Sequence, residues 1–153
     1  MFRLQYPPLI YRCGKKPRKA SVCVNGQASV KKEGYKSVAV IGTSYSLNQA
    51  LYAKPLSRLG IEMVVLDAGL VNESHRLIGT ALAGIPKKLT SQYVDFVRKI
   101  AKKTPFDALI LGCTEYSVLE DRRKQELSGS IPVAIIDPLM ELAAEIDKIY
   151  YGK

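Results

Sequence analysis

At 153 residues the chain has room for one ordinary domain, since domains run to roughly 100–200 residues, and leaves little space for a two-lobed enzyme. With 47% apolar and 24% charged residues its composition is that of a folded globular protein, which excludes a disordered or fibrous chain, and no run reaches the ~18 apolar residues of a membrane helix. The net charge of +9 invites a nucleic-acid reading, but that charge sits at one end.

Residues 1–32 carry eight basic side chains (Arg3, Arg12, Lys15, Lys16, Arg18, Lys19, Lys31 and Lys32) and no Asp or Glu, whereas the other 15 basic residues face all 14 acidic ones. The remainder of the chain is therefore electrically ordinary. Pro7, Pro8 and Pro17 interrupt the basic segment and no apolar period persists in it, so residues 1–35 read as a tail and 36–153 as the folded lobe. The adjacent prolines break the amphipathic helix of a transit peptide, and no apolar core marks a secretory signal. Only Phe2, Tyr6 and Tyr11 could stack on bases, so a solvated tail is preferred to a nucleic-acid-binding one. Three cysteines (Cys13, Cys23 and Cys113) make an odd count without metal spacing, which fits a reducing cytoplasm.

From Tyr35 the chain becomes regular. Ser37 to Gly42 is a short apolar run that reads as a buried strand. Residues 46–59 read as helical, with Pro55 kinking or dividing the segment and Gly60 ending it. Ile61 to Asp67 reads as a second buried strand, and a looser stretch follows through Gly79 and Gly84 to Pro86. Leu89, Tyr93, Val97, Ile100 and Ala101 then share a helical face that Pro105 closes. Asp107 to Gly112 is a third strand, Pro132 to Ile136 a fourth, and Pro138 to Tyr150 a last helix with Asp137 as its N-cap. Alternating strands and helices predict an α/β lobe of three layers, a parallel four-stranded sheet with helices on both faces.

In such sheets ligands bind past the carboxyl ends of the strands. Gly42-Thr43-Ser44-Tyr45-Ser46, Asp67, Gly112-Cys113-Thr114-Glu115 and Asp137-Pro138 occupy those positions. Hydroxyls beside helix N-termini suit a small carboxylate, and no GxGxxG or Walker loop supports a nucleotide. Cys113 leaves a strand and enters a helix, where the dipole can lower a thiol pKa into a reactive range; a buried, inert cysteine fits the same spacing. His75, the lone histidine, lies among Asn72, Glu73, Ser74 and Arg76 and reads as a surface residue, so neither a histidine-rich metal site nor a Ser-His-Asp triad is expected.

The run Asp107-Ala108-Leu109-Ile110-Leu111-Gly112-Cys113-Thr114-Glu115, followed by Ile131-Pro132-Val133 and Asp137-Pro138, resembles the C-terminal part of the cofactor-independent aspartate/glutamate racemases. Val38 to Thr43, Ser46, Tyr52, Pro55-Leu56 and Gly60-Ile61-Glu62 are similar to the opening of that family's second lobe, so the resemblance covers residues 36–151. Glu115 stands where glutamate racemases usually carry histidine, which resembles the aspartate racemase branch. The resemblance implies an acidic amino acid held between two lobes, with a cysteine on each face of its Cα and neither pyridoxal phosphate nor metal taking part. It assigns Cys113 as the second catalytic cysteine and Thr43, Ser46, Thr114 and Glu115 as substrate-binding, with Glu115 also placed to tune the neighbouring thiol.

The first lobe of that family has no counterpart in residues 1–35: Cys13 precedes Gly14-Lys15 and Cys23 precedes Val24-Asn25, whereas the family's first cysteine lies in a Cys-Asn-Thr context. The expectation is thus an incomplete racemase site, completed by a missing lobe or a second copy. Leu139, Leu142, Ala143, Ile146 and Ile149 on one face of the last helix point to self-association. Two other classes stay open: a non-catalytic carboxylate-binding half-domain or truncated pseudoenzyme, and a nucleic-acid binder acting through the tail. A one-cysteine decarboxylase of malonate-type substrates is a variant of the first reading.

Overall fold

The computed structural model describes residues 30–48, 51–127 and 131–151. Four strands, β1 (Ser37–Ile41), β2 (Glu62–Val64), β3 (Ala108–Leu111) and β4 (Ala134–Ile136), form one sheet in the order β2-β1-β3-β4. Every pairing is parallel, with Val38 opposite both Met63 and Ala108, and Ala108 opposite Ala134. Parallel strands need long crossovers, and these are helical: α1 (Ser44–Asn48), α2 (Ala53–Arg58), α3 (Ala68–Leu82), α4 (Lys87–Lys103) and α5 (Thr114–Glu126), while α6 (Pro138–Tyr151) follows β4.

Alternation along the strands builds a core on each side of the sheet. Ala39, Ile41, Leu109 and Leu111 enter a core with Leu70, Leu77 and Ile78 of α3, Tyr93 and Val97 of α4, and Tyr116 and Leu119 of α5. Val38, Val40, Ala108 and Ile110 enter another with Tyr52, Leu56 and Ile61. The α/β layering expected from the alternating pattern is thus the observed fold. Leu89, Leu109 and Leu119 are all fully buried, each worth about 1.5–3 kcal/mol of apolar burial. Of the expected basic tail, residues 1–29 lie outside the described residues, and Val30 is fully buried in the second core.

Three expectations need correction. Residues 68–82, read as loose because of their glycines, are the 15-residue helix α3. Leu70, Ser74, Leu77 and Ile78 line its buried face, and that packing outweighs the poor propensity of Gly69 and Gly79. The second strand spans only Glu62–Val64 and is an edge strand, with Val65 83% exposed and Asp67 capping α3 through a bond from Leu70 N–H at 2.9 Å. The 46–59 segment is divided, into α1 and α2, but the break falls before Pro55 rather than at it. Pro55 lies in the first turn of α2, where a proline's missing N–H would have had no helical acceptor. Asp137 does cap α6, accepting from Leu139 N–H at 3.1 Å and Met140 N–H at 3.4 Å. Among the described residues no helix is long and apolar enough to cross a membrane.

Candidate functional site

The chain leaves β1 for β2 on one side of the sheet and later returns to place β3 on the other, so the carboxyl ends of β1 and β3 flank the switch point where open α/β sheets bind ligands. Two glycines set how closely those ends approach. A Cβ on Gly112 would lie 2.8 Å from the Ile41 carbonyl oxygen, and one on Gly42 would lie 3.2 Å from the Gly112 backbone. The Gly112 N–H donates to that same Ile41 oxygen at 2.6 Å.

Thr43 and Ser46 come together past β1. Their hydroxyls are 3.2 Å apart, and Ser46 donates to the Gly112 carbonyl at 3.0 Å, which ties α1 to the residue preceding Cys113. Cys113 is the half-buried N-cap residue of α5, with extended backbone and no capping bond from its side chain. The helix start does aim the Tyr116 and Glu115 N–H groups at the sulfur, but burial and the Glu115 carboxylate outweigh them and push the thiol up to about 12. The depressed pKa expected from the helix dipole is therefore not found: desolvation is the larger effect here. Thr114 is exposed, and its hydroxyl donates to the Glu115 carboxylate at 3.3 Å rather than into the crevice. As the first residue of α5 it retains a backbone N–H without an intrahelical acceptor.

The other strand-end carboxylates serve the scaffold. Asp67 accepts from Lys103 Nζ at 2.7 Å as well as from the α3 amide, and both hold its carboxyl below the usual range. Asp137, besides capping α6, accepts from Ser117 at 2.9 Å.

Sequence reasoning missed a buried pair behind the crevice. Ser74 donates to the Gly42 carbonyl at 3.1 Å, and its oxygen lies 2.9 Å from the Tyr116 hydroxyl. Reading 68–85 as loose hid Ser74, although its spacing four residues from Leu70 was a usable signal. His75 is half-buried rather than simply a surface residue, with Nε2 2.8 Å from the Ser44 hydroxyl at the start of α1.

The lobe is a doubly wound α/β unit with a cysteine at a helix start and two hydroxyls beside its switch point. Residues 25–146 match the Asp/Glu/hydantoin racemase family, and the chain belongs to it. It is 28% identical over 132 residues to a glutamate racemase of Limosilactobacillus reuteri, covering 84% of this chain and 46% of that protein. With a glutamate racemase of Aquifex aeolicus it shares 33% identity over 114 residues, 71% of this chain and 39% of the relative. An aspartate racemase homologue from Pyrococcus horikoshii has the same fold, with a TM-score of 0.68 at 24% identity over 84% of this chain and 54% of that one. The chain thus spans less than half the length of the curated relatives it matches.

Proposed function

We propose that this chain is one lobe of an amino-acid racemase for an acidic substrate, aspartate in the first instance, with Cys113 exchanging the proton at Cα. The observation that carries the reading is the convergence at one switch point of Cys113, the Thr43–Ser46 hydroxyl pair and the first-turn amides of α5. Thr43, Ser46 and the Thr114 N–H supply donors suited to a substrate carboxylate. Glu115 in the Gly-Cys-Thr-Glu run favours the aspartate branch by resemblance.

With the thiol near 12, Cys113 is protonated at neutral pH and rests as the acid of the pair. To act as base it must pass its proton on. A substrate ammonium brought beside the sulfur would favour the thiolate, against the Glu115 carboxylate, which favours the thiol. Inversion needs a second acid–base group on the opposite face of Cα. That group comes from beyond the described lobe, from another lobe or from a second copy.

The test is deuterium exchange at Cα of L- and D-aspartate and glutamate in heavy water, followed by proton NMR. Exchange by the full chain that falls at least about 100-fold in Cys113→Ser is the expected result. Inversion along with exchange means that the second group is present; exchange with retention means a working half-site. No exchange of any acidic amino acid, with binding retained, would establish the second reading, a carboxylate-binding half-domain. The high thiol pKa is the observation that favours that alternative.

A further inference from the structure

We infer that Ser74 and Tyr116 form a buried strap that positions the end of β1, which leads into Thr43, against the start of α5, where Cys113 is the N-cap residue. This deepens, and rests on, the reading of Cys113 as the proton-exchanging group. The direction of the strap follows from donor counting. The Gly42 carbonyl can only accept, so Ser74 commits its one hydroxyl proton to it at 3.1 Å. Its oxygen then accepts from the Tyr116 phenol at 2.9 Å, and the Ser74 backbone carbonyl shares that phenol proton at 3.3 Å. Ser74, Tyr116 and Gly42 are all buried, so water does not compete for these bonds. Tyr116 lies in the first turn of α5, the helix that begins just after Cys113. One serine on α3 therefore links the β1 end to the helix start at which the thiol sits.

A second strap runs nearer solvent, from Thr43 to Ser46 to the Gly112 carbonyl. Ser46 has a single proton, and while Gly112 holds it none is left for a substrate carboxylate. Substrate binding through Ser46 thus opens the outer strap. The Gly112 N–H still bonds to Ile41, but that bond joins strand ends and does not reach α5. The Ser74–Tyr116 strap is the bond that still ties the helix start to the end of β1 once Ser46 has turned to its ligand, while Ser117 ties the same helix to Asp137 on the β4 side.

The test reads the thiol and needs no turnover. In the full chain carrying Cys13→Ser and Cys23→Ser, alkylation of Cys113 by iodoacetamide is followed against pH. Burial is the main cause of the high thiol pKa, so a helix start released from its strap admits water and the alkylation midpoint falls. The isosteric Tyr116→Phe, which removes the phenol's bonds to both the Ser74 hydroxyl and the Ser74 carbonyl, should alkylate about tenfold faster at pH 8 and Ser74→Ala by up to as much, with the double variant no faster than Tyr116→Phe. Ser117→Ala, which cuts a different buried bond of α5, should stay within about twofold of the parent. Rates within twofold of the parent for Tyr116→Phe would overturn the strap. So would additive effects, or equal acceleration by Ser117→Ala. If Ser74→Ala does not fold, Tyr116→Phe alone decides. A chain that passes this test yet exchanges no Cα proton would sink the racemase reading and leave the strap standing.

Discussion

Gly112 carries the tightest constraint at the site. Its absent Cβ would sit 2.8 Å from a backbone oxygen that cannot rotate away, so Gly112→Ala must push the ends of β1 and β3 apart. That overpacking should cost about 1–3 kcal/mol in urea unfolding, with Gly42→Ala the milder of the two because its nearest approach is 3.2 Å. Stability unchanged in Gly112→Ala would show that the strand ends yield freely. Cys113 makes a second prediction through linkage. Its folded pKa, about 12, lies above the ordinary 9.0, so the folded chain holds this proton more tightly. The associated stability is complete below about pH 9 and is lost as pH rises towards 12. Buried Tyr93 and Tyr116, raised above their ordinary 10.0, add losses of the same sign from about pH 10. The urea midpoint should therefore begin to fall near pH 9 in the parent and only near pH 10 in Cys113→Ser; identical profiles between pH 8 and 10 would contradict the assignment. The Gly-Cys-Thr-Glu run placed the thiol correctly at a helix start, but its pKa depends on burial, which no run of residues states.

Among the elements, α3 shows how packing overrides local preference. Gly79 faces open space on the exposed side of that helix, so Gly79→Ala should stabilise the chain by about 0.5–1 kcal/mol, measured by thermal melting. Destabilisation instead would mean that Gly79 is needed for a contact the helix makes elsewhere. α4 was legible from Leu89, Tyr93, Val97 and Ile100 because its apolar stripe is strict, whereas Ser74 interrupts the stripe of α3 with a polar residue that is fully buried and satisfied. A similar polar element joins α4 to α5. Glu120, 1% exposed, takes two bonds from Arg123 at 2.7 and 2.8 Å and one from Tyr93 at 3.1 Å. Removing the guanidinium leaves a buried carboxylate undercompensated, so Arg123→Ala should cost about 3 kcal/mol, with Glu120→Leu/Arg123→Met recovering most of it. A double variant no more stable than Arg123→Ala would show that the pair contributes more than its desolvation.

For the whole molecule, the last helix sets the expectation. Met140 is 58%, Ile146 44% and Tyr150 58% exposed, Ala143 is exposed, and Leu139 and Leu142 are half-buried, while Ile149 lies outside the described side chains. We propose that a second copy of the chain covers this apolar face. Sedimentation should show an oligomer that Ile146→Glu dissociates; a monomer at high concentration would remove the face as a source of the second acid–base group. The residue pattern alone determined the layering, because parallel strands buried on both faces read as Val38-Ala39-Val40-Ile41 and Ala108-Leu109-Ile110-Leu111, and the strand-end rule then drew attention to Thr43, Ser46 and Cys113. Tertiary structure alone decided the strand order, the burial that raises the Cys113 thiol pKa and the hydrogen bonds that join Gly42, Ser74 and Tyr116. The physical reason is range. Periodicity reports which face of an element meets apolar surroundings, whereas a hydrogen bond between residues 42 apart, or the desolvation of one sulfur, depends on which elements are brought together.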